Sequence, residues 1–172
     1  RPGEVSGLDP KQWLRSQVIS QPVAIQGLKL ETTQQLLEEI NSIRRDGMSV
    51  QSRKNLRKQA VKQEEAEIMA LVSHCLRTEA PFAERLVRFW SNHFTVSSHG
   101  EQVVRYLAGA YEREAIRPHV FGKFLDMVTA TARHPAMLVY LDQVRSVGPN
   151  SKVGRRRNLG LNENYARELM EL

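Results

Sequence analysis

Polar residues at helical spacing are concentrated near the end of the chain. Glu163, Arg167 and Glu171 recur at intervals of four residues, so a helix stacks them as an acid, a base and an acid. Glu168 lies four residues after Asn164 and three before Glu171, so on a concave face two carboxylates would approach a cation or act as acid and base. The alternative is an ion-pair ladder on a helix surface, which is the commoner role of such a column.

The fourth predicted helix carries an aromatic row with His93 on its rim and Asn92 beside it. A structural role makes the row core and gives His93 a carbonyl or carboxylate partner. A functional role makes His93 an acid, a base or a ligand, with Asn92 orienting a partner. Glu84 and Arg88 run with Asn92 down the opposite side of the helix. The row itself consists of Phe82, Leu86, Phe89, Trp90 and Phe94.

A metal or hydrolytic centre requires the polar residues near the end of the chain and His93 to come together with two further groups of residues. Asp142 follows the apolar run 136–141, and His119 stands at a corner marked by Arg117 and Pro118. A divalent metal is the one cofactor that such a centre would suit. The catalytic candidates are His93, Asn92, Asp142, Glu163, Arg167 and Glu168, and the candidate metal ligands are His93, His119, Asp142 and Glu168.

Several strong catalytic signatures are absent from the sequence. It has no GxGxxG or Walker-type phosphate loop, no HExxH and no GxSxG. We therefore expect no nucleotide cofactor, and the balance of the sequence is against an enzyme in this piece of chain. Its single cysteine, Cys75, excludes an intrachain disulfide framework and a multi-cysteine zinc site.

The excess positive charge behind the net charge of +6 lies in two patches, and the remainder of the chain is net negative. Residues 44–62 contain seven basic residues and one acid, and residues 152–157 add four basic residues in a long predicted loop. Such runs are usually solvated, and no aromatic residues interleave with the first patch to stack bases, so nucleic-acid binding is the weakest alternative. The candidate basic residues are Arg53, Lys54, Arg57, Lys58, Lys62, Arg155, Arg156 and Arg157.

The elements that must position these residues are helices. Apolar residues recur at three and four residues almost throughout, and no segment alternates in the manner of a strand. We predict an all-α fold, an irregular multi-helix bundle of about eight helices with no significant sheet. The predicted helices cover residues 10–19, 32–45, 52–77, 81–94, 102–115, 122–132, 135–142 and 163 to the end.

Local signals mark the ends of several helices and one inward face. Pro81 and Pro135 fall at first helical positions, where proline is tolerated, and Asn162 is placed to cap the last helix. In the third helix one apolar stripe includes Cys75, which predicts a small core residue there. The stripe comprises Ile68, Leu71, Val72, Cys75 and Leu76.

Length and composition fit one globular unit. With 172 residues, 41% hydrophobic and 26% charged, we expect one helical domain over 1–172, with less specific helices over 1–80 and a denser core over 81–172. No apolar run approaches the ~20 residues of a membrane span. Because the chain opens with Arg1 and stops inside a predicted helix, we expect a fragment of a larger protein.

Four blocks of residues follow one another along the second half of the chain: Phe89 to Phe94, Arg117 and Pro118 with Gly122 and Phe124, His134 to Asp142, and Leu161 to Leu172. With these blocks the chain, from Phe89 onward, resembles the bacterial family catalogued as domain of unknown function 1800. The resemblance implies the amino-terminal part of a larger, often exported protein, and it assigns no activity. It also makes the polar residues of these motifs better candidates for a shared site or for a shared structural cluster.

The leading hypothesis is therefore a helical interaction or scaffold domain of an exported bacterial protein. Its partner would be a protein of the cell envelope, and its location periplasmic, envelope-bound or secreted. The alternative is a metal-dependent or acid-base hydrolase with a site around His93, Asp142, Glu163 and Glu168. A third hypothesis is nucleic-acid binding through the basic patches.

Overall fold

The computed structural model describes residues 7, 9–18, 24–25, 30–45 and 49–171. Within these residues every regular element is helical, which confirms the all-α prediction. Nine α-helices are present in this part of the chain, one more than expected. They are α1 Pro10–Ser16, α2 Thr33–Arg45, α3 Val50–Arg77, α4 Pro81–His93, α5 Gln102–Tyr111, α6 Phe124–Arg133, α7 Pro135–Tyr140, α8 Lys152–Arg157 and α9 Glu163–Glu171.

The helix starts follow from capping side chains and proline. Pro81 and Pro135 lie in the first turns of α4 and α7, as predicted. The Asn162 side chain accepts a hydrogen bond from the Asn164 amide at 3.0 Å, which confirms it as the cap of α9. At α3 the Ser49 hydroxyl accepts from the Ser52 amide at 3.0 Å, so this helix begins at Val50, two residues earlier than predicted.

The segment 147–161, predicted as a connection, contains the short helix α8. Its first turn is capped by Ser151, whose hydroxyl accepts from the Gly154 amide at 3.0 Å. A Cβ added at Gly154 would lie 2.4 Å from the Gly148 carbonyl oxygen, so the tight packing of this segment requires glycine. Asn158 ends the helix in the left-handed conformation, with φ 51°. The loop predicted at 152–157 is therefore helical.

Two further predicted helices change character near their ends. The helix expected over 102–115 continues from α5 into a π-helical turn, Glu112–Ile116, followed by a 3₁₀ turn, Arg117–His119. Helix α7 ends at Tyr140, and Asp142 lies outside it in the left-handed region with φ 58°. Of the predicted first helix, residue 19 lies outside the described residues, as does Leu172 at the end of the last one.

The core is built around α5, which packs against α2, α3 and α7. Leu107 and Ala110 of α5 are fully buried, and Phe94 after α4 is 1% exposed. The Tyr111 hydroxyl donates to the Phe94 carbonyl oxygen at 2.7 Å, which ties the end of α5 to the end of α4. Among the described helices, none combines the length and apolar character needed to cross a bilayer.

The buried face of α3 is not the apolar stripe. It consists of Leu56, Ala60, Glu67, Ala70 and His74. Ile68 is 52% and Leu76 68% exposed, and Cys75 is exposed, so the prediction of Cys75 as a core residue is wrong. The reason is that Glu67 and His74 find buried ionic partners, which periodicity cannot reveal because it assigns charged residues to the surface.

Candidate functional site

Among the described residues, the most deeply buried charged group is the guanidinium of Arg117, at 1% exposure. Two of its nitrogens donate to the two carboxylate oxygens of Glu84 at 2.8 and 2.9 Å. Its Nε donates to Oε1 of Glu112 at 2.9 Å. Paired charge-assisted hydrogen bonds of this kind are strong and fix both partners in orientation. We name these groups, together with His74 and Arg88, the Arg117 centre.

The π-helical turn explains why Glu112 and Arg117 meet. In an α-helix, side chains three and four residues apart are neighbours, whereas the π-helical hydrogen bond spans five residues. Here the Arg117 amide bonds back to the Glu112 carbonyl, five residues earlier. Both side chains therefore lie on one side of the turn, and the buried ion pair follows from the local backbone.

Two more side chains complete the Arg117 centre. His74 Nε2 lies 2.9 Å from Oε1 of Glu84, which joins α3 to α4. Arg88 donates to Oε2 of Glu112 from the outer edge. Burial acts to raise the pKa of Glu84, but the hydrogen bonds and positive charge of Arg117, with a contribution from His74, outweigh it and lower that pKa. The carboxylate is thus held ionised, as a structural counter-charge.

Cys75 lies on the edge of this centre, with Sγ 4.0 Å from Oε2 of Glu84. Desolvation of the sulfur raises the pKa of the thiol, although the residue as a whole is exposed, and the nearby Glu84 charge raises it further. A raised thiol pKa reduces the thiolate fraction, which is the nucleophilic form. The surroundings therefore do not activate Cys75.

A second buried pair fastens the middle of α3. Arg113 donates to both carboxylate oxygens of Glu67, at 2.7 and 3.1 Å, and to the Glu31 carbonyl at 2.6 Å. Glu67 passes over Gly109 of α5, where an added Cβ would lie 2.3 Å from its side chain. Glycine is required there because the carboxylate must reach across the face of α5.

His134 occupies a third buried polar position. Its Nδ1 accepts from the Ala136 amide at 3.1 Å and caps α7, while Nε2 lies 2.8 Å from the Thr33 hydroxyl. Because Nδ1 is an acceptor, the proton of the neutral ring belongs on Nε2. Burial lowers the pKa of His134 to about 4, against an opposing effect of Glu114. This histidine serves the fold in its neutral form.

Of the predicted site residues, His93 lies on the rim of an aromatic cluster. Its ring is parallel to that of Phe89, with centroids 6.3 Å apart, and edge-on to Trp90 at 5.6 Å. Phe89 is 58% exposed, so only part of the aromatic row is core. Asn92 beside it is exposed, whereas Glu84, on the face expected to lie opposite the core, is 5% exposed.

Asp142 and the start of α9 are brought close together. The Asn162 side chain donates to the Leu141 carbonyl at 3.3 Å, next to Asp142. A cleft of about 410 Å³ at this junction is lined by Glu163 and Arg167, among others. Asp142 itself pairs with Arg145 at 3.1 Å and lines a separate cleft of about 350 Å³.

The predicted column on α9 has a different pairing. Arg167 donates to Oδ1 of the Asn164 side chain at 3.0 Å, and Nδ2 of the same side chain donates to Oε1 of Glu168 at 2.9 Å. Glu163 and Glu171 are exposed. Arg167 and Glu168 therefore both bond to Asn164, and neither bonds to a carboxylate of the predicted column.

The described residues contain no group of three or more His, Cys, Asp or Glu side chains that could hold a metal ion. His93, His119, Asp142 and Glu168 are all described, and they share no such group. Their roles remain predictions of the sequence. The basic candidates are exposed, five on α3 and three on α8: Arg53, Lys54, Arg57, Lys58 and Lys62, then Arg155, Arg156 and Arg157.

Sequence reasoning missed most of the buried charges. Arg117 was marked by the proline that follows it and by the family motif, neither of which indicated a buried ion pair, and Glu84 only by its step of four to Arg88. Glu67 and Arg113 gave no signal, since each looks like an ordinary surface charge on its own helix. Spacing within one element cannot identify a pair whose members lie 46 residues apart, as these two do.

The fold and these centres define an all-helical protein whose described interior is held by ion pairs between distant segments. A family model described as a protein of unknown function, DUF1800, matches residues 2–172, and the chain belongs to this family. The match includes the first eighty residues, beyond the part that the motifs from Phe89 onward cover. No curated protein and no solved structure matches the chain.

Proposed function

We propose that this chain is a helical interaction domain that binds a protein partner through the outer side of α3. The observation that carries the proposal is a group of apolar side chains exposed within one turn and a half. Ile68 is 52%, Met69 65% and Val72 48% exposed. We name these three residues the apolar patch. Contiguous exposed apolar surface of this kind is typical of protein interaction sites.

The opposite side of α3 makes the patch rigid. Glu67, between the patch and α5, is held by both of its oxygens on Arg113, and His74 is held by Glu84. These bonds fix the rotation of α3 about its axis. Binding to a surface that is already ordered costs less conformational entropy, so such a patch suits recognition.

The setting of the interaction is also a proposal. Its support is the family resemblance, which implies an often exported bacterial protein. We propose a partner in the cell envelope and a periplasmic, envelope-bound or secreted location. Fractionation of native host cells with an antibody to the full-length protein tests this, and recovery in the cytoplasmic fraction alone would refute it.

The interaction is tested by replacing apolar contacts with neutral polar ones. The variant Ile68→Gln with Val72→Gln introduces glutamine, which is a good helix former, and leaves the net charge unchanged. Full-length protein carrying it, expressed in the native host, is expected to recover at least about tenfold less of the partner that the wild type recovers, because apolar burial at the interface is lost.

The matched control is Val153→Gln, which replaces a residue 51% exposed on α8. It should recover the partner as the wild type does, and circular dichroism should show unchanged helix content in both variants. If the α3 variant recovers as much partner as the control, the outer side of α3 is not the binding surface and the proposal fails.

A further inference from the structure

The exposed side of α3 changes character along its length. Its amino-terminal half carries the five basic residues 53, 54, 57, 58 and 62, all exposed, which we name the basic stripe. At about 100° per residue, the basic stripe and the apolar patch fall within about 180° of each other around the helix axis. The buried residues of α3 lie on the remaining side. One continuous surface is therefore basic at one end and apolar at the other.

The positive charge of the stripe is not neutralised within the described residues. Of the three acids of α3, Glu64 pairs with Arg105 and Glu67 with Arg113, which leaves Glu65 exposed. None of the five basic residues forms an ion pair with another described residue. Positive charge near a helix amino terminus is also unfavourable with the helix dipole. This arrangement favours an anionic partner over an isolated surface.

We infer that the segment of the partner that covers α3 has a matching block pattern. This inference rests on the proposed function. Apolar side chains of the partner pack on the apolar patch, and a cluster of Asp and Glu residues about 20 Å away meets the basic stripe, since α3 rises about 1.5 Å per residue. Complementary charge sets the direction in which the segment lies along α3 and speeds its association.

The pattern favours a protein over a nucleic acid or a membrane. Single-stranded nucleic acids stack on aromatic residues, and the stripe has none. A helix lying in a bilayer surface separates its apolar and basic residues around the axis, so that one side enters the lipid. On α3 the two kinds of residue share one side and are separated along the axis.

Site-specific photocrosslinking in the native host tests the inference directly. A photoreactive residue is placed at position 57, 72 or 153 of the full-length protein, and the crosslinked peptides are sequenced. The expected result is one partner protein at both 57 and 72, with an acidic peptide at 57, an apolar peptide at 72 and no adduct at 153.

The other outcomes separate the two proposals. No adduct at 72 refutes the proposed function. An adduct at 72 with none at 57 is compatible with the proposed function but overturns the block pattern. The same holds for a crosslinked peptide at 57 that lacks acidic residues. A nucleic-acid or lipid adduct at 57 also overturns it.

A salt titration with the identified partner gives a second readout. Arg57→Glu with Lys58→Glu is expected to weaken binding at least about tenfold at low salt and to flatten its salt dependence, because opposite charges at the stripe become like charges. Arg155→Glu with Arg156→Glu on α8 makes the same charge change elsewhere and should leave both unchanged. Equal effects of the two variants would show that net charge alone matters, which overturns the inference.

Discussion

Single buried residues in this protein hold distant segments by directed polar contacts. Arg117 bonds to Glu84, 33 residues earlier, and His134 lies against Thr33, 101 residues earlier. Leaving a buried polar group without a hydrogen-bond partner is costly, so each of these residues constrains its partner as strongly as itself. His134 is the clearest case, because its Nδ1 accepts from the Ala136 amide while its Nε2 contacts the Thr33 hydroxyl.

Protonation of His134 is expected to destabilise the fold as the pH falls. Its folded pKa is about 4, below the ordinary value of 6.5, so the folded state favours the neutral ring. The resulting stabilisation is fully present above pH 6.5 and is lost as the pH falls from 6.5 through 4, by about 3 kcal/mol in total. Urea unfolding between pH 7.5 and 4.5 measures this loss.

The matched variant is His134→Asn, because asparagine also caps helices and does not titrate. Its stability should fall less steeply over that pH range than that of the wild type, the difference being the contribution of His134. Parallel pH profiles for the two proteins would show that other groups cause the loss.

The elements depend on one another through the π-helical turn after α5. This turn places Glu112 and Arg117 on one side, and Arg117 then reaches Glu84 on α4, which contacts His74 on α3. A regular α-helix through residues 112–116 would separate the side chains of Glu112 and Arg117. π-helical turns are rare, and here the turn coincides with the buried ion pairs that its geometry allows.

Arg117→Met is expected to destabilise the protein by about 3 to 5 kcal/mol, because it leaves Glu84 and Glu112 without their buried counter-charge. Arg145→Met is the control: this arginine is 68% exposed in its pairs with Asp142 and Glu101, and its loss should cost at most about 1 kcal/mol. Denaturant unfolding of both variants at pH 7.5 compares them. Similar midpoints for the two variants would mean that the Arg117 centre adds little stability.

For the whole molecule, apolar spacing predicted the helical class and most helix positions because these depend on local pattern. Pro81, Pro135 and Asn162 marked their helix ends for the same reason. The rotation of α3 was not predictable, since the buried partners of Glu67 and His74 lie on other helices. The helix α8 was missed because its glycine and basic residues resemble a loop, while its start depends on one Ser151 hydrogen bond.

Unequal burial across the molecule leads to an expected order of local stability. Six of the ten residues of α5 are buried, whereas α8 buries only Gly154. Amides in the core open only with large parts of the fold, and amides in short exposed helices open locally. In hydrogen exchange at pH 7, the amides of α5 are therefore expected to exchange at least about a hundredfold more slowly than those of α8. Comparable rates in both helices would show that α5 is not the centre of a cooperative core.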